Sequence, residues 1–88
     1  MPVSEYAKNI GPTEANRRFL HIRKEARLLF PNPQDTFYLK VGDQSLEVHL
    51  DKEYRIWEGL VYDLLRLKEG DRIVFSKIGE GSYELRRG

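Results

Sequence analysis

The chain contains no cysteine. That excludes disulfides and thiolate metal sites, and it suits a reducing compartment. Histidine is almost as scarce. His21 and His49 are the only imidazoles, far apart in sequence and too few for a zinc site. No apolar run approaches the roughly 20 residues that a membrane span needs. The opening Met1-Pro-Val-Ser-Glu lacks the basic-then-apolar order of a signal peptide. The expected location is the cytoplasm, nucleoid-associated if DNA is the partner, with no membrane contact.

Catalytic signatures are missing as well. Ser4, Ser45, Ser76 and Ser82 lack a Gly-x-Ser-x-Gly setting, and no lysine follows Gly79 or Gly81 as a phosphate loop requires. The neighbouring acids Asp51 with Glu53, and Glu69 with Asp71, read as solvated turn carboxylates. The sequence therefore predicts a protein that is not an enzyme and carries no metal or other cofactor.

Charge is what the chain has in quantity. A third of its 88 residues are charged, yet the net charge is only +1 because the signs are segregated. Residues 1–30 hold six basic and three acidic residues, a net +3. Residues 31–66 hold four basic and seven acidic ones, a net −3, and the remainder is +1. Two readings fit this pattern. One face could hold a polyanion while another stays acidic, or the surface is simply well solvated and rich in ion pairs.

Periodicity predicts a small β-rich domain. Residues 1–12 read as a flexible segment ending at the breaker pair Gly11-Pro12, and residues 13–88 as a single β-barrel-like domain. Thr13 is placed to cap a short helical turn. Residues 18–22 read as a strand and 24–30 as a helix. The competing pattern is one helix through 13–30, with Phe19, Ile22, Ala26, Leu29 and Phe30 near helical spacing. Phe30-Pro-Asn-Pro then stops any helix. Phe37, Leu39 and Val41, then Leu46, Val48 and Leu50, alternate with polar residues on either side of Gly42-Asp43-Gln44-Ser45, which predicts a hairpin. Tyr54–Trp57 read as a short strand or ordered loop. Leu60, Val61, Leu64 and Leu65 recur at the spacing of a helix that would plug a barrel end. Gly70 marks a turn, and strands follow through Ile73 and Phe75 and through Tyr83 and Leu85. The expected fold class is mainly β (β-rich α+β): a small open or closed pseudobarrel of five to seven strands with two short helices.

The candidate binding residues are cationic and aromatic. Arg17, Arg18, His21, Arg23, Lys24 and Arg27 form a dense basic cluster, and Lys52, Tyr54, Arg55 and Trp57 a smaller one. Such side chains suit phosphate contacts, and an arginine fork suits a guanine edge. Against this stands pairing with Glu14, Glu25 and the acidic middle. Trp57, as the sole tryptophan, is expected in the core, with Arg55 and Tyr54 facing outward.

Three pieces carry a family likeness: Phe19-Leu-His-Ile-Arg-Lys…Leu29-Phe-Pro, Trp57-Glu-Gly-Leu, and Leu67-x-x-Gly-Asp-x-Ile-x-Phe. Over roughly residues 18–87 their order resembles the DNA-binding pseudobarrel group, which includes plant B3-type domains and the DNA-recognition domains of some restriction endonucleases. The resemblance implies two arms that grip the major groove. Arg23, Lys24 and Arg27 correspond to the first arm and Lys52–Trp57 to the second, with Lys52 and Arg55 as its polar candidates. The departure is Asp51, Glu53 and Glu58, which flank the second arm with negative charge. The end pieces are also similar to swapped-hairpin transcriptional regulators of the bacterial transition-state type. Residues 36–66 separate them here, which favours a monomeric pseudobarrel.

The leading expectation is thus a non-catalytic, monomeric double-stranded DNA-binding domain of the kind used in transcription regulation. Its expected DNA-binding residues are Arg17, Arg18, His21, Arg23, Lys24, Arg27, Lys52, Tyr54 and Arg55. The alternatives are a protein-interaction or small-ligand module using Tyr38 and Tyr54, and a swapped-hairpin regulator.

Overall fold

The computed structural model describes residues 5–88. Alternation of apolar and polar side chains builds the main sheet. In β3 (Thr36–Val41) the residues Phe37, Leu39 and Val41 are buried while their neighbours are exposed. β3 pairs antiparallel with β4 (Gln44–His49), placing Phe37 opposite Val48 and Leu39 opposite Leu46. Gly42 and Asp43 join them, with Gly42 at φ 60°, the positive value that the first position of a tight hairpin turn demands. β6 (Arg72–Gly79) and β7 (Ser82–Arg87) form a second hairpin, with an irregular register between Lys77 and Gly79 that leaves Ile78 exposed. β7 also runs parallel to β3.

The fifth strand of this sheet is β1 (Glu5–Asn9), paired antiparallel with β6 from Glu5↔Ser76 to Asn9↔Arg72. Of the segment 1–12, expected to be flexible, residues 5–9 form this strand; residues 1–4 lie outside the described part. Tyr6 and Lys8 point inward, and a lysine at an inward position hides the alternation that would have announced the strand. The sheet order is β1-β6-β7-β3-β4.

The region 13–30 is not one helix. α1 (Pro12–Arg17) starts with Gly11 as its cap, so Thr13 lies inside it; the cap is stabilised by the Glu14 carboxylate, which accepts the Gly11 N–H at 3.0 Å. Arg18 turns left-handed at φ 60° and ends the helix. β2 (Leu20–His21) follows, then a 3-10 helix over Lys24–Leu29. β2 pairs with β5 (Arg55–Ile56), Leu20 opposite Ile56 and His21 opposite Arg55. Leu50, beyond β4, bridges Ile56 and so joins the small sheet to the large one. α2 (Leu60–Leu65) buries Val61 and Tyr62. The expected inward residue Leu60 is instead 40% exposed at the first helical position, and Tyr62 takes its place by donating its hydroxyl to the Phe19 carbonyl at 2.7 Å.

These pieces wrap one core around Phe30. Its ring stacks on Tyr83 at 4.9 Å and meets Phe75 edge-on at 5.3 Å. The Tyr83 hydroxyl donates to the Leu29 carbonyl, tying the 3-10 helix to the sheet. Between β1 and β2 side chains close the wall. Lys8 Nζ donates to the His21 carbonyl at 2.9 Å and to the Glu14 carboxylate, while Glu14 also accepts the His21 N–H at 2.8 Å. The Arg23 N–H donates to the Tyr6 hydroxyl. Burial holds the Lys8 ammonium below the ordinary lysine value, although Glu14 pulls it the other way. The result is a seven-stranded pseudobarrel among the described residues, with strands along most of its wall and an ion pair as the seam.

Candidate nucleic-acid interface

Two segments project beside the β2–β5 ladder. The first is Arg23–Leu29. Its buried Ala26 and Leu29 anchor it to the core, which leaves Arg23, Lys24, Glu25 and Leu28 exposed. The second is the turn from Asp51 to Trp57, organised by one carboxylate. Asp51 accepts the Glu53 and Arg55 amides at 2.8 and 2.9 Å, the Arg55 Nε at 3.0 Å and the Trp57 indole N–H at 2.8 Å. Burial alone would raise the Asp51 pKa. The four donors, Trp57 foremost, outweigh it and hold the carboxyl at about 2.

The two segments meet at Tyr54. Its backbone is left-handed at φ 61°, a conformation that costs energy for a non-glycine residue. Hydrogen bonds hold it there: the Tyr54 N–H donates to the Asp51 carbonyl and the Ile22 N–H donates to the Tyr54 carbonyl. The Arg27 guanidinium lies over the Tyr54 ring, 4.0 Å from its centroid. Arg27 Nε is buried without a hydrogen-bond partner.

The structure sorts the sequence-derived cations into two groups. Arg18 is held by Asp63 at 2.7 Å and by the Gly59 carbonyl at 2.8 Å, pinning α1 to the turn before α2. Arg55 is held between Asp51 and Glu53, at 3.0 and 3.1 Å. Expected to face outward, it has a side chain only 25% exposed. Among the described residues Arg17, Arg23, Lys24, Arg27 and Lys52 have no carboxylate within ion-pair distance. Of the three acids that flank the second arm, Asp51 and Glu53 are engaged by Arg55 and Glu58 is not. Glu25 and Glu58 are the local acids without a cation.

Trp57 is not in the core as expected; it is 48% exposed. Its ring packs on Phe19 at 4.7 Å, with Arg55 at 5.1 Å and Arg17 at 5.8 Å. The Asp51 bond to its indole draws it to the rim of the turn. Tyr54, expected outward, is half-buried. Tyr38 is exposed on β3, near hydrogen-bond range of Glu47 at 3.4 Å, apart from the arms.

His21 is half-buried and lines an open cleft of about 400 Å³ with Pro12, Phe19, Glu53 and Arg55. Burial first, then Lys8, lowers its pKa against the pull of Glu14, and Arg27 and Arg55 lower it further. The charged form of the ring is thus disfavoured, and the imidazole can offer hydrogen bonds. No group of three or more metal-ligating side chains, and no helix long and apolar enough to cross a membrane, occurs among the described residues.

The sequence gives no sign that Arg27 would stack on Tyr54, because the two are joined only through the fold. The Glu14 role had a local clue, its spacing three residues after the cap Gly11.

No protein-family model matches this sequence, and no curated protein matches it. Among solved structures, the chain is similar to the N-terminal domain of Helicobacter pylori LlaJI.R1. The TM-score is 0.78 at 15% identity, covering 97% of this chain and 87% of that one. At that identity the likeness shows a shared fold, and no residue role transfers with it.

Proposed function

We propose that this chain is a non-catalytic domain that binds double-stranded DNA through the two segments beside the β2–β5 ladder. One observation carries the reading. Five cations, Arg17, Arg23, Lys24, Arg27 and Lys52, gather around the β2–β5 ladder with no carboxylate partner among the described residues, while nearby Asp51, Glu53 and Asp63 are already held by Arg55 and Arg18, and Glu25 and Glu58 are the local acids left without a cation. Unpaired cations on rigid supports suit a polyanion, because contact releases counterions from the phosphates. The sequence resemblance to DNA-binding pseudobarrels favours the same partner. Arg23, Lys24, Lys52 and Arg17 would contact phosphates, with the two arms entering the major groove.

The test is fluorescence anisotropy with a labelled random-sequence duplex, titrated with salt. Four to five phosphate contacts give a slope of log affinity against log salt of roughly −3.6 to −4.5. A chain that shows no affinity for duplex DNA at low ionic strength does not have this function.

A further inference from the structure

We propose that Arg27 is the residue that selects sequence, by donating from both terminal guanidinium nitrogens to the Hoogsteen edge of one guanine. The proposal rests on the DNA-binding reading above. Arg27 differs from its neighbours in being held still without being neutralised. Arg18 and Arg55 are fixed by acids, and Arg23, Lys24 and Lys52 are exposed. Arg27 is fixed instead by the ring of Tyr54, at 4.0 Å, and among the described residues its Nε has no acceptor. Its Nε is dry, so the donors left to meet a ligand are the two terminal nitrogens.

That arrangement matches a particular acceptor. A guanidinium laid on an aromatic ring presents its edge, and guanine O6 and N7 form the acceptor pair in the major groove that a planar fork fits. Freezing the fork beforehand lowers the entropy lost on contact. Phosphate contact does not need this, because flexible cations serve it equally well. The support is itself unusual. Tyr54 is kept at φ 61° by a bond to Asp51 in its own arm and one from Ile22, the residue before the first arm, and a backbone strained there fits a functional position.

The experiment selects binding sites for the full chain from a random duplex pool. One fixed guanine is expected. Replacing it with a deazaguanine lacking the N7 acceptor should weaken wild-type binding roughly fivefold to a hundredfold. Arg27→Lys keeps the charge and loses the fork, so its binding should be indifferent to the modified base. Tyr54→Phe keeps the ring and the selectivity, whereas Tyr54→Leu loses the selectivity. A selected pool with no fixed guanine, or a wild type insensitive to the missing N7, overturns this proposal and leaves duplex binding standing. Failure to retain any duplex overturns the DNA reading with it. Should a variant fail to fold, the modified base against the wild type decides the matter alone.

Discussion

Lys8 and Glu14 bond to each other in the stretch of wall between β1 and β2, where side chains take over from strand ladders. Their side chains are 3% and 11% exposed. Glu14 also receives the amides of Gly11 and His21, so one carboxylate joins the start of α1, the end of β1 and β2. An ion pair in this position adds little net stability, because both charges have lost water.

Removing the two partners should therefore have unequal effects. Glu14→Gln leaves the Lys8 ammonium buried beside a neutral amide, at a cost of about 3–5 kcal/mol. Lys8→Met leaves a carboxylate that still accepts two amide hydrogens, and its cost should be smaller. The double variant should cost less than the sum of the singles, because the second change removes the charge that the first one stranded. Urea denaturation of the four proteins checks this; additive costs would show that the pair is not coupled.

Asp51 gives the second arm a pH dependence of known sign. Its folded pKa, about 2, lies below the ordinary value of 3.8. A depressed carboxyl stabilises the fold at pH above the ordinary value, and that contribution disappears as pH falls from about 4 toward 2. The shift corresponds to about 2 kcal/mol. The stability gap between wild type and Asp51→Asn, measured by denaturation at successive pH values, should narrow by this amount across that window. A gap constant between pH 5 and 2 would mean that the four hydrogen bonds do not favour the ionised form.

Adjacent leucines in the first arm should behave oppositely. Leu28 is fully exposed, and Leu29 is 9% exposed, its carbonyl accepting from Tyr83. Leu29→Ala should cost about 2–4 kcal/mol and Leu28→Ala less than about 0.5 kcal/mol. Thermal or urea unfolding of both variants tests whether the 3-10 helix is anchored as described.

The hairpin of β3 and β4 was legible in the sequence because its signal is local: Phe37, Leu39 and Val41 alternate, and Gly42 supplies the turn. Gly70, at φ 90°, was legible for the same reason. What escaped depends on partners distant in sequence. β1 looked shapeless because Lys8 occupies an inward position that Glu14 and the His21 carbonyl, both distant from the strand pattern, make tolerable. Trp57 looked like core because nothing local shows that Asp51 will draw its indole to the rim. The basic cluster was visible as composition. Its division was not, because the acid that claims Arg18 is Asp63, placed opposite by the packing of α1 against the α2 turn.

That division yields the sharpest test of the interface. Arg23→Ala, Lys24→Ala and Lys52→Ala each remove an exposed cation without a carboxylate partner. Each should weaken binding about equally across duplex sequences and reduce the magnitude of the salt slope by about one. Arg18→Ala removes the same charge at one remove from them, but from a side chain bound to Asp63 and the Gly59 carbonyl. It should leave the salt slope near the wild-type value and appear instead as lost stability, since α1 loses its tie to the turn before α2. Lys40→Ala, on the outer face of β3, should change neither quantity. Anisotropy titrations at several salt concentrations, paired with denaturation of each variant, read both effects. Equal slope changes for Arg18, Lys24 and Lys40 would show that net charge alone drives association and that no defined face is involved.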